Sequence, residues 1–400
     1  MQLILADDSY RSRLLPFVYT RACADIRCGI LSNRERWEQL LGVERSSSGT
    51  ITSAYLSKLF PFKGSGETLV VNGRLLPGAE LVECIRNLKA GQQLVYQQHL
   101  LAANVHADLL NGLDCIQPFP LLDTIKFDRS PLFIDHAWDI FTRNDAMIRF
   151  DFTLLTSGRA SAPLSTSNKC IGPEQVFLEE GAQVECSIIN ASTGPVYVGR
   201  GAEIMEGCMV RGPFAMGDQS VLKMGAKVYG ATTLGPGSKA GGEISNSVIF
   251  GNSNKAHDGF LGNSVIGEWC NLGADTNNSN LKNNYSEVKV WSIAEEKYIG
   301  TGLQFCGLFM GDHSKCSINT MFNTGTTVGV FANIFGSGFP DKYVPSFSWG
   351  SGDGETVFLL DKALDLAARV MARRNLVISR EEMDMLSHLY LQQLHPKADD

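Results

Sequence analysis

One interval dominates the second half of the chain: apolar residues recur every six positions. The longest unbroken run is Val198, Ile204, Val210, Met216, Leu222, Val228 and Leu234. The interval also includes Val176, Ala182 and Ile188, then Phe260, Ile266 and Leu272, and finally Met310, Cys316, Phe322, Val328 and Ile334. A period of six fits neither a helix nor an alternating strand. It predicts short strands joined by tight turns, three to a coil of about 18 residues, stacked into a β-solenoid.

A β-sandwich with regular turns is the alternative fold, but an unbroken run at one fixed interval disfavours it. Glycine supports the solenoid, because the chain has 40 glycines where average usage predicts about 28. Most of this excess lies in the repeat region, where tight corners leave little room for a Cβ atom. The first 150 residues lack the interval, so we expect a different architecture there.

Composition and charge exclude several classes of protein. The formal net charge is -7, which disfavours nucleic-acid binding because that binding requires clustered lysine and arginine. No apolar run approaches the roughly 18 residues of a membrane span, and no secretory signal precedes the charged pair Asp7 and Asp8. The ten cysteines form no CxxC pair. The cysteine pattern predicts reduced thiols in a cytoplasmic protein. The charge and the short apolar runs predict no nucleic-acid or membrane partner.

The hexads fail twice, between Leu234 and Phe260 and between Leu272 and Met310. Insertions in a solenoid lie at corners, where binding and catalytic residues are usually found. The first interruption contains His257, the single histidine between His136 and His313. A histidine can serve as a general base because its pKa lies near neutrality. Taken alone, a single histidine such as His257 is more often a hydrogen-bonded structural residue than a catalyst.

The segment Lys255–Gly267, followed by Asn271–Ala274, resembles the acetyltransferase site of bifunctional N-acetylglucosamine-1-phosphate uridylyltransferases/glucosamine-1-phosphate acetyltransferases. The later segments Glu287–Val290 and Gly311–Asn319 resemble the archaeal branch of that family. The resemblance implies a left-handed β-helix, acetyl-CoA as co-substrate, a homotrimer, and His257 as the catalytic base. It also implies that substrate and acetyl-CoA are bound by Asn271, Ala274, Asn280, Lys289 and Lys315.

Three positions depart from the family pattern. Phe260 replaces a tyrosine, Met216 an arginine and Ser245 a lysine. Each replaced side chain is one that the resemblance assigns to the acceptor sugar. The identity of the sugar is therefore open, whereas the acyl-transfer chemistry is less affected.

The N-terminal region resembles the opening of sugar-phosphate nucleotidylyltransferases. A buried strand, Leu3–Ala6, leads into Asp7–Pro16, which ends in the expected Arg13-Leu14 pair but lacks the glycines that approach a triphosphate. A second landmark, Val70–Pro77, carries Arg74 where the family has a metal-binding aspartate. A third, His136–Asp145, resembles the segment that closes the nucleotidylyltransferase domain.

These departures leave two interpretations of the N-terminal region. In the first, a divergent active site binds phosphates through Arg13, Arg27 and Arg74, and Mg²⁺ through Asp7, Asp8 or Asp145. In the second, the domain has lost catalysis and only binds a sugar nucleotide or supports assembly. The number of arginines at predicted strand ends favours the first.

We therefore expect a two-domain cytoplasmic transferase. Residues 1–150 should form an α/β nucleotidylyltransferase-like (Rossmann-like) domain, 165–340 a left-handed parallel β-helix, and 355–395 a C-terminal helical segment. The resemblance implies acetyl-CoA-dependent N-acetylation of an amino-sugar 1-phosphate, coupled to nucleotidyl transfer in UDP-N-acetylglucosamine-type biosynthesis. The alternatives are acetylation of another amino sugar with a degenerate N-terminal domain, and a non-catalytic sugar-nucleotide-binding scaffold.

Overall fold

The computed structural model describes residues 2–62, 64–351 and 356–394. The chain forms two compact units. The first comprises Met1–Ile26, Leu31–His136 and Arg380–His388, and the second Arg27–Ile30, Ala137–Ser379 and Leu389–Asp400. None of the helices in the described ranges combines the length and hydrophobicity needed to cross a membrane.

The first unit is built on a mixed six-stranded sheet. Its strands are β1 (Gln2–Ala6), β2 (Ser48–Ile51), β3 (Glu67–Asn72), β5 (Gln92–Tyr96), β6 (His99–His106) and β7 (Asp123–Lys126), and β4 (Leu75–Leu76) pairs separately with β8 (Leu132–Phe133). The sheet order is β2-β1-β3-β6-β5-β7, and β1 lies parallel to both its neighbours. The predicted strand Leu3–Ala6 is therefore confirmed, and its four residues are fully buried.

Two helices, α1 (Asn33–Leu41) and α2 (Ala79–Arg86), cover one side of this sheet. Helix α1 begins with a capping box, in which Ser32 accepts from the Glu35 N–H and the Glu35 side chain accepts from the Ser32 N–H. It ends at Gly42, whose left-handed conformation closes the helix. The carboxyl ends of the parallel strands β1 and β3 meet at one edge, and this edge carries Asp7, Asp8 and Arg74.

The second unit contains the predicted left-handed parallel β-helix. Face A has nine strands: Val176–Leu178, Val196–Val198, Phe214–Met216, Thr232–Leu234, Val248–Ile249, Val265–Ile266, Leu308–Met310, Thr326–Val328 and Tyr343–Val344. Face B also has nine: Gln183–Val184, Glu203–Ile204, Val221–Leu222, Lys239–Ala240, Asn254–Lys255, Asn271–Leu272, Lys315–Cys316, Asn333–Ile334 and Trp349–Gly350. Neighbouring strands of each face are parallel, so every coil pairs with the next.

Face C completes the coils. Six of its strands form one sheet: Lys169–Ile171, Ile188–Asn190, Met209–Arg211, Lys227–Tyr229, Glu243–Ser245 and Phe260–Gly262. Two more, Asn277–Asn278 and Met321–Phe322, pair with each other. The inward apolar side chains of the three faces form one continuous core, and the run from Val198 to Leu234 lies entirely inside it. Burying each such side chain stabilises the fold by about 1.5–3 kcal/mol.

The two interruptions of the hexad pattern differ in kind. On face A, Thr233 pairs with Val248 and Val248 with Val265, so two coils take 15 and 17 residues where regular coils take 18. The first interruption is therefore a pair of shortened coils, and the expectation of an insertion there is wrong. The second is a true insertion, since the next face A strand begins at Leu308 and a hairpin of Lys289–Ser292 and Lys297–Gly300 lies between.

Four helices accompany the solenoid in sequence: α3 (Asp139–Thr142), α4 (Asn144–Thr156), α5 (Leu360–Ala372) and α6 (Arg380–Leu394). Helix α4 packs Ile148 against Phe177 and Tyr197, which point outward from face A. Helices α5 and α6 fall within the predicted helical segment, whose end residues 355 and 395 lie outside the described ranges. The predicted boundary at residue 150 falls inside α4, which belongs to the second unit.

Candidate functional site

His257 lies at the corner between faces B and C, exposed to solvent. It follows the face B strand Asn254–Lys255 and precedes the face C strand Phe260–Gly262. The strand register stacks this corner beneath Ala274 of the next coil and Ile318 of the one after. On that side the neighbour of His257 in the column is Ala274, whose side chain is a single methyl group.

Lys255 holds the His257 corner from inside the solenoid. Its Nζ donates to the carbonyl of His257 at 2.8 Å and to the carbonyl of Gly241, in the preceding coil, at 3.0 Å. The lysine side chain is 3% exposed. Burial lowers the pKa of Lys255 to about 8, although the carboxylates of Asp258 and Asp275 oppose the shift.

Asparagines from the following coil fix the strand that leaves this corner. Asn277 Oδ1 accepts from the Phe260 N–H at 2.8 Å, and Asn278 Oδ1 accepts from the Gly262 N–H at 2.9 Å. The Asn280 side chain donates to Asn263 Oδ1 at 2.8 Å. Sequence reasoning missed Asn277 and Asn278, although the asparagine-rich run that ends in Asn280 was a visible signal.

The remaining predicted substrate residues occupy two places. Asn271 and Lys315 are neighbours in the column of face B side chains that point outward, and both line a cavity on this face. Lys289 is exposed on the hairpin of the insertion. The structure thus brings Asn271, Lys315 and the His257 corner to face B and its edge.

The three departures from the family pattern have structural counterparts. Met216 points into the solenoid core and is fully buried. Ser245 is 7% exposed and pairs with Gly262 in face C. Phe260 is half-buried beside the His257 corner. Of these three, Phe260 is the one placed to meet an acceptor bound at His257.

In the first unit, Arg74 is fully buried between two carboxylates. Its guanidinium donates to both oxygens of Asp8, at 2.8 and 2.6 Å, and to Asp135 at 2.6 Å. The guanidinium carbon lies 5.1 Å from the centre of the Tyr10 ring and 4.9 Å from that of Phe133. Burial would raise the pKa of Asp8, but the Arg74 contacts outweigh it and lower that pKa below its usual value.

The neighbouring Asp7 has separate partners. It accepts hydrogen bonds from the Cys23 N–H at 2.8 Å and the Thr52 hydroxyl at 2.6 Å, and it pairs with Arg11 at 3.0 Å. Burial raises the pKa of Asp7, against the opposing charge of Arg11. Asp7 and Asp8 are thus bound to different cations.

This arrangement does not fit a shared Mg²⁺ ion. A magnesium site needs carboxylate oxygens free to face the metal, and the Arg74 guanidinium occupies both oxygens of Asp8. Asp145 lies on α4 in the second unit, where it pairs with Arg149 at 2.5 Å. The described part of the chain contains no group of three or more histidine, cysteine, aspartate or glutamate side chains that could hold a metal.

The other predicted phosphate-binding arginines are also separated. Arg13 is exposed in the first unit, with its guanidinium 4.4 Å from the Tyr10 ring centre. Arg27 belongs to the second unit, where it donates to the Ile30 carbonyl. Arg13 and Arg74 therefore share one aromatic neighbour, and Arg13 is the one with solvent access.

Comparison with known proteins finds a family match in the N-terminal part of the chain and several similar proteins. Residues 3–160 match the family described as "Sugar nucleotidyl transferase". The chain is 37% identical over 93 residues to a bifunctional sugar-1-phosphate nucleotidylyltransferase/acetyltransferase of Sulfurisphaera tokodaii, a match covering 23% of each chain. It is 31% identical over 116 residues to the bifunctional protein GlmU of Methanocaldococcus jannaschii, covering 29% of this chain and 28% of that protein. Over these stretches the chain is thus similar to sugar nucleotidyl transferases and to bifunctional GlmU-like proteins.

These matches span only about a quarter of the length of the two relatives. Among solved structures, the Francisella novicida UDP-N-acetylglucosamine acyltransferase aligns over 60% of this chain and 89% of its own, with 12% identity and a TM-score of 0.29. The activities named for these proteins are therefore a proposal for the present chain.

Proposed function

We propose that the protein is an acetyl-CoA-dependent N-acetyltransferase acting on an amino-sugar 1-phosphate, with His257 as the general base. The observation that carries the proposal is the exposed imidazole at a solenoid corner, held by Lys255 beneath the small Ala274. The cofactor-like co-substrate acetyl-CoA and the sugar phosphate are the small-molecule partners.

The proposed chemistry requires one proton acceptor. The acceptor amine attacks the thioester carbonyl carbon, forming the C–N bond, while its proton passes to the neutral imidazole of His257. The C–S bond then breaks, and coenzyme A leaves as the thiol after its sulfur accepts that proton back from the His257 imidazolium. Outward polar groups on face B, including Asn271 and Lys315, lie along the side of the solenoid from which the substrates would approach.

Release of free thiol from acetyl-CoA tests this proposal. Glucosamine 1-phosphate and other amino-sugar 1-phosphates would be supplied with acetyl-CoA, and we expect His257→Ala to lower kcat by about 10²–10⁴-fold, the usual contribution of a general base. His106→Ala, which alters an exposed histidine of the first unit, is the matched control. Thiol release that is unchanged in His257→Ala contradicts the assignment, and no release with any amino sugar contradicts the activity.

For the first unit we propose sugar-1-phosphate nucleotidyl transfer, using the product of the second unit. The second candidate is a non-catalytic unit that binds a sugar nucleotide, and the neutralised Arg74–Asp8 pair favours it because that pair leaves no free metal-binding carboxylate at Asp8. Pyrophosphate release from UTP and N-acetylglucosamine 1-phosphate with Mg²⁺ separates the two. A flat trace supports the non-catalytic unit.

We further propose a homotrimer, with face C against other copies of the chain. This face exposes large apolar side chains on its first four strands: Ile171 (54% exposed), Ile188 (43%), Met209 (56%) and Tyr229 (41%). Such a patch is typical of an interface. Light scattering should give three chain masses for the wild type and a smaller mass for Met209→Glu; a wild-type monomer contradicts the proposal.

A cytoplasmic location completes the proposal. All ten cysteines are free thiols, which suits a reducing compartment. Fractionation of cells that express the protein tests it, and recovery in an oxidising compartment contradicts it.

A further inference from the structure

A cavity of about 460 Å³ lies between face B and the C-terminal end of α5. Its volume falls in the range of small-molecule binding sites, roughly 300–1,000 Å³. The walls are formed by Lys239, Asn252, Asn254, Trp269, Cys270, Asn271, Lys315, Val370, Arg373 and Arg374. The cavity thus combines amide and cationic side chains with one indole ring.

Four cations line this cavity: Lys239, Lys315, Arg373 and Arg374. The two lysines lie in the outward column of face B, separated along it by Asn254 and Asn271. The two arginines face them from α5. No carboxylate of the described residues forms an ion pair with any of the four, whereas most other arginines of the solenoid unit, such as Arg159 and Arg200, are paired.

Concentrating unpaired cations in a cavity is unfavourable. Burial lowers the pKa of Lys315 to about 8, and among the described residues its Nζ donates to the His313 carbonyl alone, at 2.9 Å. Burial and the positive charge of Arg373 lower the pKa of Arg374. An anion in the cavity would offset both the desolvation and the repulsion.

A structural explanation accounts for part of this cluster. Arg373 and Arg374 follow the last residue of α5, and cations there interact favourably with the final helical carbonyls. That explanation does not extend to Lys239 and Lys315, which stand on a different element and face the same cavity. Nor does it account for the amides of Asn254 and Asn271, which are bonded to each other at 2.8 Å between the two lysines.

We infer that this cavity binds the diphosphate or polyphosphate group of a small molecule. Four cations suit a group that carries two or more phosphates better than a single phosphate, and lysine, arginine and amide N–H groups are the donors that phosphate oxygens accept. Coenzyme A and nucleoside-diphosphate sugars both carry this chemistry. For coenzyme A the inference rests on the proposed acyl-transfer function, whose residues Asn271 and Lys315 line the cavity. The imidazole of His257 does not line it.

Calorimetric titration of the full-length protein tests the inference with three probes: pyrophosphate, UDP and coenzyme A. We expect the affinity for at least one probe to fall by about ten- to hundredfold in the double variant Arg373→Gln/Arg374→Gln, since each lost charge-assisted contact is worth roughly a factor of ten. Lys239→Gln should weaken the same probe.

Arg369→Gln is the matched control. It lies one turn earlier on α5, exposed and paired with Asp365 at 2.8 Å, and does not line the cavity. Melting temperatures of the cavity variants should be equal to or above that of the wild type, because these variants remove mutually repelling cations. His257→Ala should bind the probe as the wild type does, so a failure of the acyl-transfer proposal leaves the inference intact.

The probe whose affinity falls in the double variant identifies the kind of ligand that the cavity binds. A loss restricted to coenzyme A identifies the acyl donor, and a loss restricted to UDP identifies a nucleotide. Binding of every probe with equal affinity in the wild type and the double variant overturns the inference, because the ligand then binds elsewhere. Absence of binding at millimolar concentration also overturns it.

Discussion

Lys255 occupies a position that the solenoid reserves for apolar residues. It pairs with Ala240 in the inward column of face B and is followed there by Leu272. The side chain is 3% exposed, and its ammonium group reaches two backbone carbonyls, those of Gly241 and His257. We predict that Lys255→Met removes a pH-dependent penalty on the free energy of unfolding.

The magnitude follows from the pKa of Lys255, which burial lowers from 10.5 to about 8. A difference of about 2.5 pH units corresponds to roughly 3.4 kcal/mol between the charged and neutral forms. Below pH 8 both the folded and unfolded states hold the proton, so the folded protein bears the full cost. Between pH 8 and 10.5 the folded state alone releases the proton, and its stability rises with pH. Above pH 10.5 the cost is gone.

Urea unfolding at pH 7.5, 9 and 10 measures this effect as a difference between the wild type and Lys255→Met. The free energy of unfolding of the wild type should rise relative to the variant by about 2–3 kcal/mol over this range. Lys297→Met, on the exposed hairpin of the insertion, is the control and should show no such trend. A difference between the wild type and Lys255→Met that stays constant within about 0.5 kcal/mol refutes the reasoning.

Three further predictions concern stability. Arg74→Met leaves the buried Asp8 carboxylate without its cation and should lower the free energy of unfolding by about 3–5 kcal/mol in a urea titration. Arg129→Gln, the control, breaks an exposed ion pair and should lower it by less than about 1 kcal/mol. Gly259→Ala would place a Cβ 2.2 Å from the Thr276 carbonyl oxygen and should lower both the melting temperature and the rate of thiol release. Gly225→Ala is the control: its φ of 69° is also left-handed but its Cβ would meet no atom within 4 Å, so the free energy of unfolding should fall by only about 1–2 kcal/mol. Ile244→Ala empties a core position that is 1% exposed and should cost about 2–5 kcal/mol by chemical denaturation; a cost below 1 kcal/mol contradicts the close packing of the solenoid.

The six-residue interval predicted the solenoid because every coil of constant length places its inward residues at the same positions. The same regularity carries an error forward wherever the coil length changes. Where coils keep 18 residues, one correct inward position fixes all the others, and the run from Val198 to Leu234 was placed correctly. Where coils change length, the extrapolated position slips by one residue. Ile188 is 43% exposed while Ile189 is buried, and Leu261 takes the core position that the interval gave to Phe260.

The candidate site was only partly predictable for a related reason. His257 and Ala274 lie in one column because each coil repeats the path of the previous one, and the resemblance already named both. The partners of Arg74 could not be foreseen, since Asp8 and Asp135 are 66 and 61 residues away in sequence. The cavity on face B depends on where α5 packs, and no local pattern in the sequence encodes that position.

Two unfavourable features of the second unit, the buried charge of Lys255 and the unpaired cations of the face B cavity, occur in the same coils. Lys255 places a charge in the apolar core, and the cavity beside face B gathers cations without carboxylates. Elsewhere the inward columns of the solenoid hold apolar or uncharged polar side chains, and most surface arginines are paired. Residues that destabilise the fold locally, such as buried charges and unpaired cations, are generally found at functional sites. The simplest account is that Lys255 positions the His257 corner while the adjacent cations hold a phosphate-bearing substrate, so that one stretch of face B carries both binding and chemistry.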